Sequence, residues 1–129
     1  VKSVIANAGH ASYLGAIAVN QDSIQTDATM ENHHLLLSES GEANSSPQFE
    51  IFCDDVKCNH GSSTSQLDEK LLFYCQARGL NNLEATKILL HSFVGWYIES
   101  ISHPQLLESV QLMLAQSMKD SMQDSSNES

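Results

Sequence analysis

A thiol and an imidazole stand two residues apart in this chain, at Cys58 and His60, in a segment with the pattern of a β-strand. Because alternate side chains of a strand share a face, the pair can present sulfur and nitrogen to one point. Such a pair suits zinc, iron or an iron–sulfur cluster. Two ligands do not complete a metal site, and a buried thiol beside an ordinary histidine is the alternative. The pair by itself leaves both interpretations open.

The other polar groups of this region are less suited to chemistry. Asp54 and Asp55 are adjacent, so on a strand they face opposite sides, and we expect corner residues that bond their own backbone. His33 and His34 are adjacent in the same way and are expected to be solvated or capping groups. The sequence has no Gly-rich phosphate loop, nucleophile elbow or H-E-x-x-H pattern, so it predicts no conventional enzyme.

Composition excludes several classes of partner. The chain has 129 residues, enough for one modest core or part of a larger one, and a net charge of −10. An acidic chain does not suit nucleic acid or anionic membranes, and no apolar run reaches the ~18 residues of a membrane span. We therefore expect neither nucleic acid nor a membrane as a partner.

The cysteines and the first residues indicate the compartment and the extent of the chain. Cys53, Cys58 and Cys75 are odd in number and have no framework spacing, which predicts free thiols in a reducing compartment such as the cytoplasm. The start, Val1-Lys2-Ser3, lacks Met and has no signal-peptide layout. The chain is therefore expected to be a fragment or an excised domain.

Residues 1–65 have the pattern of short strands. Small apolar or β-branched clusters recur, and polar turn residues separate them at residues 7–9, 20–22, 40–42 and 44–47. Frequent turns without intervening helices suit a sandwich, a barrel or a parallel β-helix, and the degenerate repeats do not choose among these.

After Ser65 the apolar period changes from two towards 3.6, which predicts helices. Ser65 and Asp68 resemble a capping box at the start of the first helix, and Gly79 is placed to end it. Asn81 and Glu84 form a capping pair for a second helix.

A third helix and a tail complete the chain. Pro104 is placed to open the third helix at its first position. We expect residues 66–118 to form a helical domain and residues 119–129 to be a polar, acidic, disordered tail.

Eight ordered segments resemble the SufB/SufD family of iron–sulfur cluster assembly proteins, and its D subunit more closely than its B subunit. The matching segments are Gly15-Ala16-Ile17-Ala18-Val19, Thr26-Asp27-Ala28, Asn32-His33-His34-Leu35-Leu36-Leu37-Ser38, Pro47-Gln48-Phe49-Glu50-Ile51, Asp54-Asp55-Val56-Lys57-Cys58-Asn59-His60-Gly61, Gln66-Leu67-Asp68-Glu69, Leu72-Phe73-Tyr74 and Arg78-Gly79. The set is specific in this order, whereas no single segment is.

The resemblance implies a mixed β and α fold, with the last turns of a right-handed parallel β-helix in residues 1–65 followed by a small C-terminal helical domain. It also implies a scaffold complex that assembles iron–sulfur clusters. Cys58 and His60 would contact the nascent cluster at the interface with a SufB-like subunit. The cluster would be transient, and none is expected in the isolated chain.

The resemblance implies two partner surfaces. A SufC-like ATPase would dock on the helices, at a surface made by Leu71, Leu72, Phe73, Tyr74, Phe93 and Trp96. An open strand edge at the end of the β-helix would pair with the SufB-like subunit, or with a second copy of this chain in a homodimer.

Two functions of other classes stay open. A purely structural adaptor would use the same two surfaces with no metal contact, and an unchanged cluster yield after loss of His60 would favour it. A β-helix enzyme acting on saccharides would need a row of carboxylates and aromatic rings along one sheet face. The strand half does not have such a row.

Overall fold

The part of the chain that the structure describes is a mixed β and α fold with parallel strands and three helices, as predicted. The structure, a computed structural model, describes the backbone of residues 1–124 and the side chains of residues 1–116. One compact unit comprises Val1–Gln66, and the second begins at Leu67. The elements are β1 (Lys2–Ile5), β2 (His10–Val19), β3 (Thr26–Leu36), β4 (Glu42–Ile51), β5 (Val56–Gln66), α1 (Glu69–Ala77), α2 (Asn82–Glu99) and α3 (Pro104–Asp124).

The strands form two parallel sheets in which each strand pairs with the next but one along the chain. One sheet has the order β1-β3-β5 and the other contains β2 and β4. The three ladders have similar registers, which begin with Lys2 opposite His33, Thr26 opposite Val56, and His10 opposite Glu42. Successive strands therefore alternate between the sheets, and both sheets repeat at a nearly constant interval along the chain.

The predicted turn at residues 44–47 is wrong, because these residues lie within β4. Ser45 is accommodated there because its hydroxyl forms hydrogen bonds with side chains of the other sheet. Among the described strands β4 pairs only with β2, and Pro47 is accommodated because proline is tolerated in edge strands. The turns predicted at residues 7–9 and 20–22 are confirmed.

A buried polar cluster joins the two sheets. His34 and Asn32, on β3, are each only 2% exposed. The Nδ1 atom of His34 lies 2.5 Å from Oγ of Ser3 on β1, and its Nε2 atom lies 2.8 Å from Oγ of Ser45 on β4. Asn32 Nδ2 donates to the same Ser45 oxygen at 2.5 Å. The expectation that His34 is solvated is therefore wrong.

Both ring nitrogens of His34 have a hydroxyl partner, because Ser3 on β1 and Ser45 on β4 contact opposite edges of the ring. The Ser45 oxygen also accepts from Asn32. These hydrogen bonds stabilise the contact between β1, β3 and β4.

Replacing His34 with alanine is expected to lower the free energy of unfolding by about 1–3 kcal/mol, because the half-buried hydroxyls of Ser3 and Ser45 lose a hydrogen-bond partner. Urea unfolding followed by circular dichroism measures the loss. The control is His33→Ala, because His33 lies on the outer face with Ser63 and Glu31 as partners, and its loss is expected to cost less than about 1 kcal/mol. Equal losses in both variants would contradict a stabilising role for the cluster.

The first helix begins later than predicted. Asp68 is the N-cap residue of α1, and its Oδ1 atom accepts from the N–H groups of Lys70 at 2.8 Å and Leu71 at 3.3 Å. The predicted capping role of Ser65 is wrong, because Ser65 pairs with Leu35 inside the β3–β5 ladder. A serine near a helix start can either cap the helix or end the preceding strand. Here Ser65 belongs to the strand, because it pairs with β3.

The end of α1 matches the prediction. Gly79 has a φ of 95°, a conformation that glycine adopts at little cost. Its N–H donates to the carbonyl of Gln76 at 3.0 Å, and the N–H of Leu80 donates to the carbonyl of Cys75 at 3.3 Å. These two bonds form a Schellman motif, which ends the helix.

The starts of the other two helices are also confirmed. Asn81 and Glu84 form a reciprocal capping box, with side chain to backbone distances of 2.9 and 3.0 Å, and Pro104 opens α3. The third helix extends to Asp124, beyond the predicted boundary at residue 118. Residues 125–129 of the predicted disordered tail lie outside the described residues. Within the described part of the chain, no helix combines the length and apolar character needed to span a membrane.

Candidate functional site

Cys58 and His60 share the interior face of β5. They lie directly opposite Ala28 and Met30 of β3, and residues paired in this way project to the same side of a sheet. The side of Met30 is known, since a Cβ atom added to Gly15 of β2 would lie 2.5 Å from the Met30 sulfur. Met30 thus faces the opposite sheet, and Cys58 and His60 face it as well. The spacing of two residues predicts that the thiol and the imidazole share one face, and the ladder has this arrangement.

The pair lies at the accessible end of the first unit. Among the described strands, β5 pairs only with β3 and β4 pairs only with β2, so the last two strands are both sheet edges. Cys58 is half-buried, His60 is exposed, and the neighbouring side chains of Phe49 and Ile51 on β4 are exposed too. This end therefore combines ligating groups with apolar surface, and strand edges of this kind readily pair with another chain.

The imidazole of His60 is held by a ring contact. The Phe49 ring lies 5.3 Å away, centroid to centroid, with an interplanar angle of 65°. Neither ring nitrogen of His60 has a hydrogen-bond partner among the residues that the structure describes. The thiol of Cys58 is free. Both donor atoms are thus available to a ligand.

The donor set is incomplete for a metal ion. Within residues 1–116, no three or more His, Cys, Asp and Glu side chains are grouped so that they could hold a metal. A thiolate and an imidazole are suitable ligands for iron, and iron–sulfur clusters take four protein ligands in their common forms. Cys58 and His60 therefore fit as part of a ligand set, with the remainder supplied from outside this chain.

The other candidate residues lie apart from this pair. Asp54 and Asp55 form the exposed bend between β4 and β5, and the carbonyl of Asp55 accepts from the N–H of Gln25 at 2.6 Å. Cys53 and Cys75 are half-buried free thiols. None of these groups is placed to complete a site with Cys58 and His60 within the described residues.

Apolar side chains of α1 and α2 are the second group of candidate residues, and this group is called the helix surface below. Phe73 and Trp96 are 71% and 69% exposed. Leu71 and Tyr74 are exposed as well, whereas Leu72 and Phe93 are half-buried. The residues that α2 buries are a different set, Ala85, Leu90, Gly95 and Ile98.

Sequence reasoning missed two features near the first site, the Phe49 contact and the His34 cluster. Phe49 and His60 belong to different sheets, so no local period relates them. The alternation of Phe49 with Gln48 and Glu50 does predict that Phe49 lies on the inward face of its strand. Its proximity to His60 required the register of both sheets.

Comparison with known proteins shows which family most of the chain matches. Residues 1–93 match the model of a family described as "SUF system FeS cluster assembly, SufBD core domain". The iron–sulfur cluster assembly protein SufD of Escherichia coli K12 is 33% identical over 115 residues, which are 89% of this chain and 27% of that protein.

Two other relatives agree with this match. An iron–sulfur cluster assembly SufBD family protein of Synechocystis is 34% identical over 100 residues, 78% of this chain and 22% of the relative. A protein of Arabidopsis thaliana, named ABCI7, chloroplastic, is 37% identical over 106 residues, 81% of this chain and 22% of the relative. The chain thus spans about a quarter of the length of the curated relatives that it matches.

Proposed function

The chain belongs to the SufBD core family of iron–sulfur cluster assembly proteins, and from this premise we propose that it is the SufD-like part of a cluster assembly scaffold. It would contribute ligands to a nascent cluster at an interface with a SufB-like subunit. It would act as a scaffold rather than as an enzyme. The cluster is the cargo of this complex and not a resident cofactor of the chain.

The observation that carries the proposal is the placement of Cys58 and His60 on one face of an edge strand. Their donor atoms are free, and they make up only part of a ligand set. A partial set at a sheet edge suits a site that a second subunit completes. Sulfide and the partner's side chains would supply the other ligands.

The architecture that fits this role is the end of a right-handed parallel β-helix. Parallel pairing of every second strand, at a nearly constant interval along the chain, supports this arrangement. We propose the unit Val1–Gln66 as the end of the β-helix and the helices from α1 onwards as a separate helical domain. The edges of β4 and β5 would then form the subunit interface, with a SufB-like subunit or, in its absence, with a second copy of this chain.

The helix surface is proposed as the docking site of a SufC-like ATPase. Large aromatic side chains that are exposed on a monomer are typical of the centres of protein interfaces. Phe73 and Trp96 have this character, and Leu71, Leu72, Tyr74 and Phe93 would complete the contact. The chain itself has no phosphate-binding loop motif in its sequence, so nucleotide hydrolysis would belong to the partner.

The free state of all three cysteines favours a reducing compartment, such as the cytoplasm.

The alternative function is a structural adaptor that binds both partners and makes no contact with the cluster. Anaerobic cluster assembly on matched complexes with and without the His60 imidazole separates the two functions. A lower cluster yield without the imidazole supports the scaffold site, and an unchanged yield supports the adaptor.

A further inference from the structure

We propose that Phe49 is a positioning residue for His60, whose ring it orients towards the open edge where the cluster would form. This inference rests on the proposed function, because it concerns the same site. It adds a role for a side chain from the other sheet. Phe49 would act through His60 and make no contact with the cluster itself.

Hydrogen bonding within the described chain does not set the orientation of the His60 ring. A histidine that binds a metal usually donates its second ring N–H to an acceptor, which fixes the ring orientation. His60 has no such acceptor among the described residues. The residue opposite it in the ladder is Met30, whose thioether is only a weak acceptor. The contact that is left to orient the imidazole is the one with the Phe49 ring.

The contact with the Phe49 ring orients the His60 imidazole, which no hydrogen bond within the described chain orients. At 5.3 Å and 65°, the rings of Phe49 and His60 are close to the edge-to-face geometry that aromatic pairs prefer. Phe49 is placed by the β2–β4 ladder, where it lies opposite Ile17. Its ring thus meets His60 from the neighbouring sheet and restricts rotation of the imidazole on an otherwise exposed edge.

The test compares Phe49→Leu, which keeps an apolar side chain without a ring, with Phe49→Tyr, which keeps the ring. In the chain alone, nuclear Overhauser contacts between the two rings and the ring-proton shifts of His60 report the contact. We expect these signatures in the wild type and in the Tyr variant, and their loss in the Leu variant. Similar thermal midpoints in both variants would show that the fold is retained.

The functional comparison uses the complex with SufB-like and SufC-like partners. Phe49→Leu is expected to lower the iron and sulfide content by about two- to tenfold, the effect of one aromatic pair, and Phe49→Tyr is expected to restore it. Adding Phe49→Leu to His60→Ala should cause no further loss, because both act through one imidazole.

The outcomes separate this inference from the proposed function. If His60→Ala lowers the cluster content and Phe49→Leu does not, positioning by Phe49 is overturned and the proposed function stands. If His60→Ala has no effect, both are overturned. If the wild-type spectrum shows no contacts between the two rings, the inference is overturned whatever the cluster yield. It is also overturned if the double variant has a lower iron and sulfide content than His60→Ala alone.

Discussion

Replacing His60 with alanine is expected to lower the iron and acid-labile sulfide content of the assembled complex by about tenfold or more. Loss of an outer-shell partner already costs ~10–100-fold in metal affinity, and loss of a direct ligand should cost at least as much. The subunits should still assemble, because an exposed imidazole contributes little packing. Iron and sulfide are measured after anaerobic assembly of matched complexes, and size-exclusion chromatography reports subunit content.

Two variants control this experiment. His33→Ala removes an imidazole from the outer face of the neighbouring strand β3, and the cluster content should stay at the wild-type level. Cys58→Ser is expected to have an effect equal to or smaller than that of His60→Ala. Wild-type cluster content in the His60 variant would favour the adaptor function.

The second large effect is expected at the helix surface. Trp96→Glu should weaken binding of a SufC-like ATPase by about 30-fold or more, because buried aromatic anchors contribute ~2 kcal/mol or more to an interface. Trp96 is 69% exposed, and its ring packs edge-to-face against Tyr97 at 4.9 Å. The helical unit should therefore remain folded. Calorimetry with purified ATPase measures the affinity, and circular dichroism reports the fold.

The matched control places the same charge elsewhere on α2. His91 is exposed and lies five residues before Trp96, about 140° around a helix of 3.6 residues per turn. His91→Glu should leave ATPase binding within about twofold of the wild type, since surface substitutions usually change energies by less than ~0.5 kcal/mol. Equal affinities of the Trp96→Glu and His91→Glu variants would remove this surface from the proposed interface.

Local chemistry predicted the features that depend on near neighbours. The capping box of Asn81 and Glu84, the end of α1 at Gly79 and the start of α3 at Pro104 each follow from contacts within a few residues. The common face of Cys58 and His60 follows from strand alternation in the same way. Each of these features depends only on residues within its own helix or strand or directly beside it, so the sequence is sufficient to predict it.

Features that depend on the register of two sheets could not be predicted. Ser45 has the composition of a turn residue, yet it lies within a strand because His34 and Asn32 of the other sheet bond its hydroxyl. The contact of Phe49 with His60 also crosses from one sheet to the other. In both cases the contact depends on which residues of the parallel strands lie opposite one another. The repeats in the sequence are too degenerate to reveal this register.

Binding of the nascent cluster by the His60 imidazole can be tested by pulsed electron paramagnetic resonance of the reduced, cluster-loaded complex, with ¹⁵N-histidine only in this chain. We expect a ¹⁵N hyperfine coupling in the wild type, its retention in the His33→Ala variant and its absence from any cluster left in the His60→Ala variant. A loaded wild-type complex without ¹⁵N coupling, or a coupling that persists without His60, would overturn the role of His60 as a ligand.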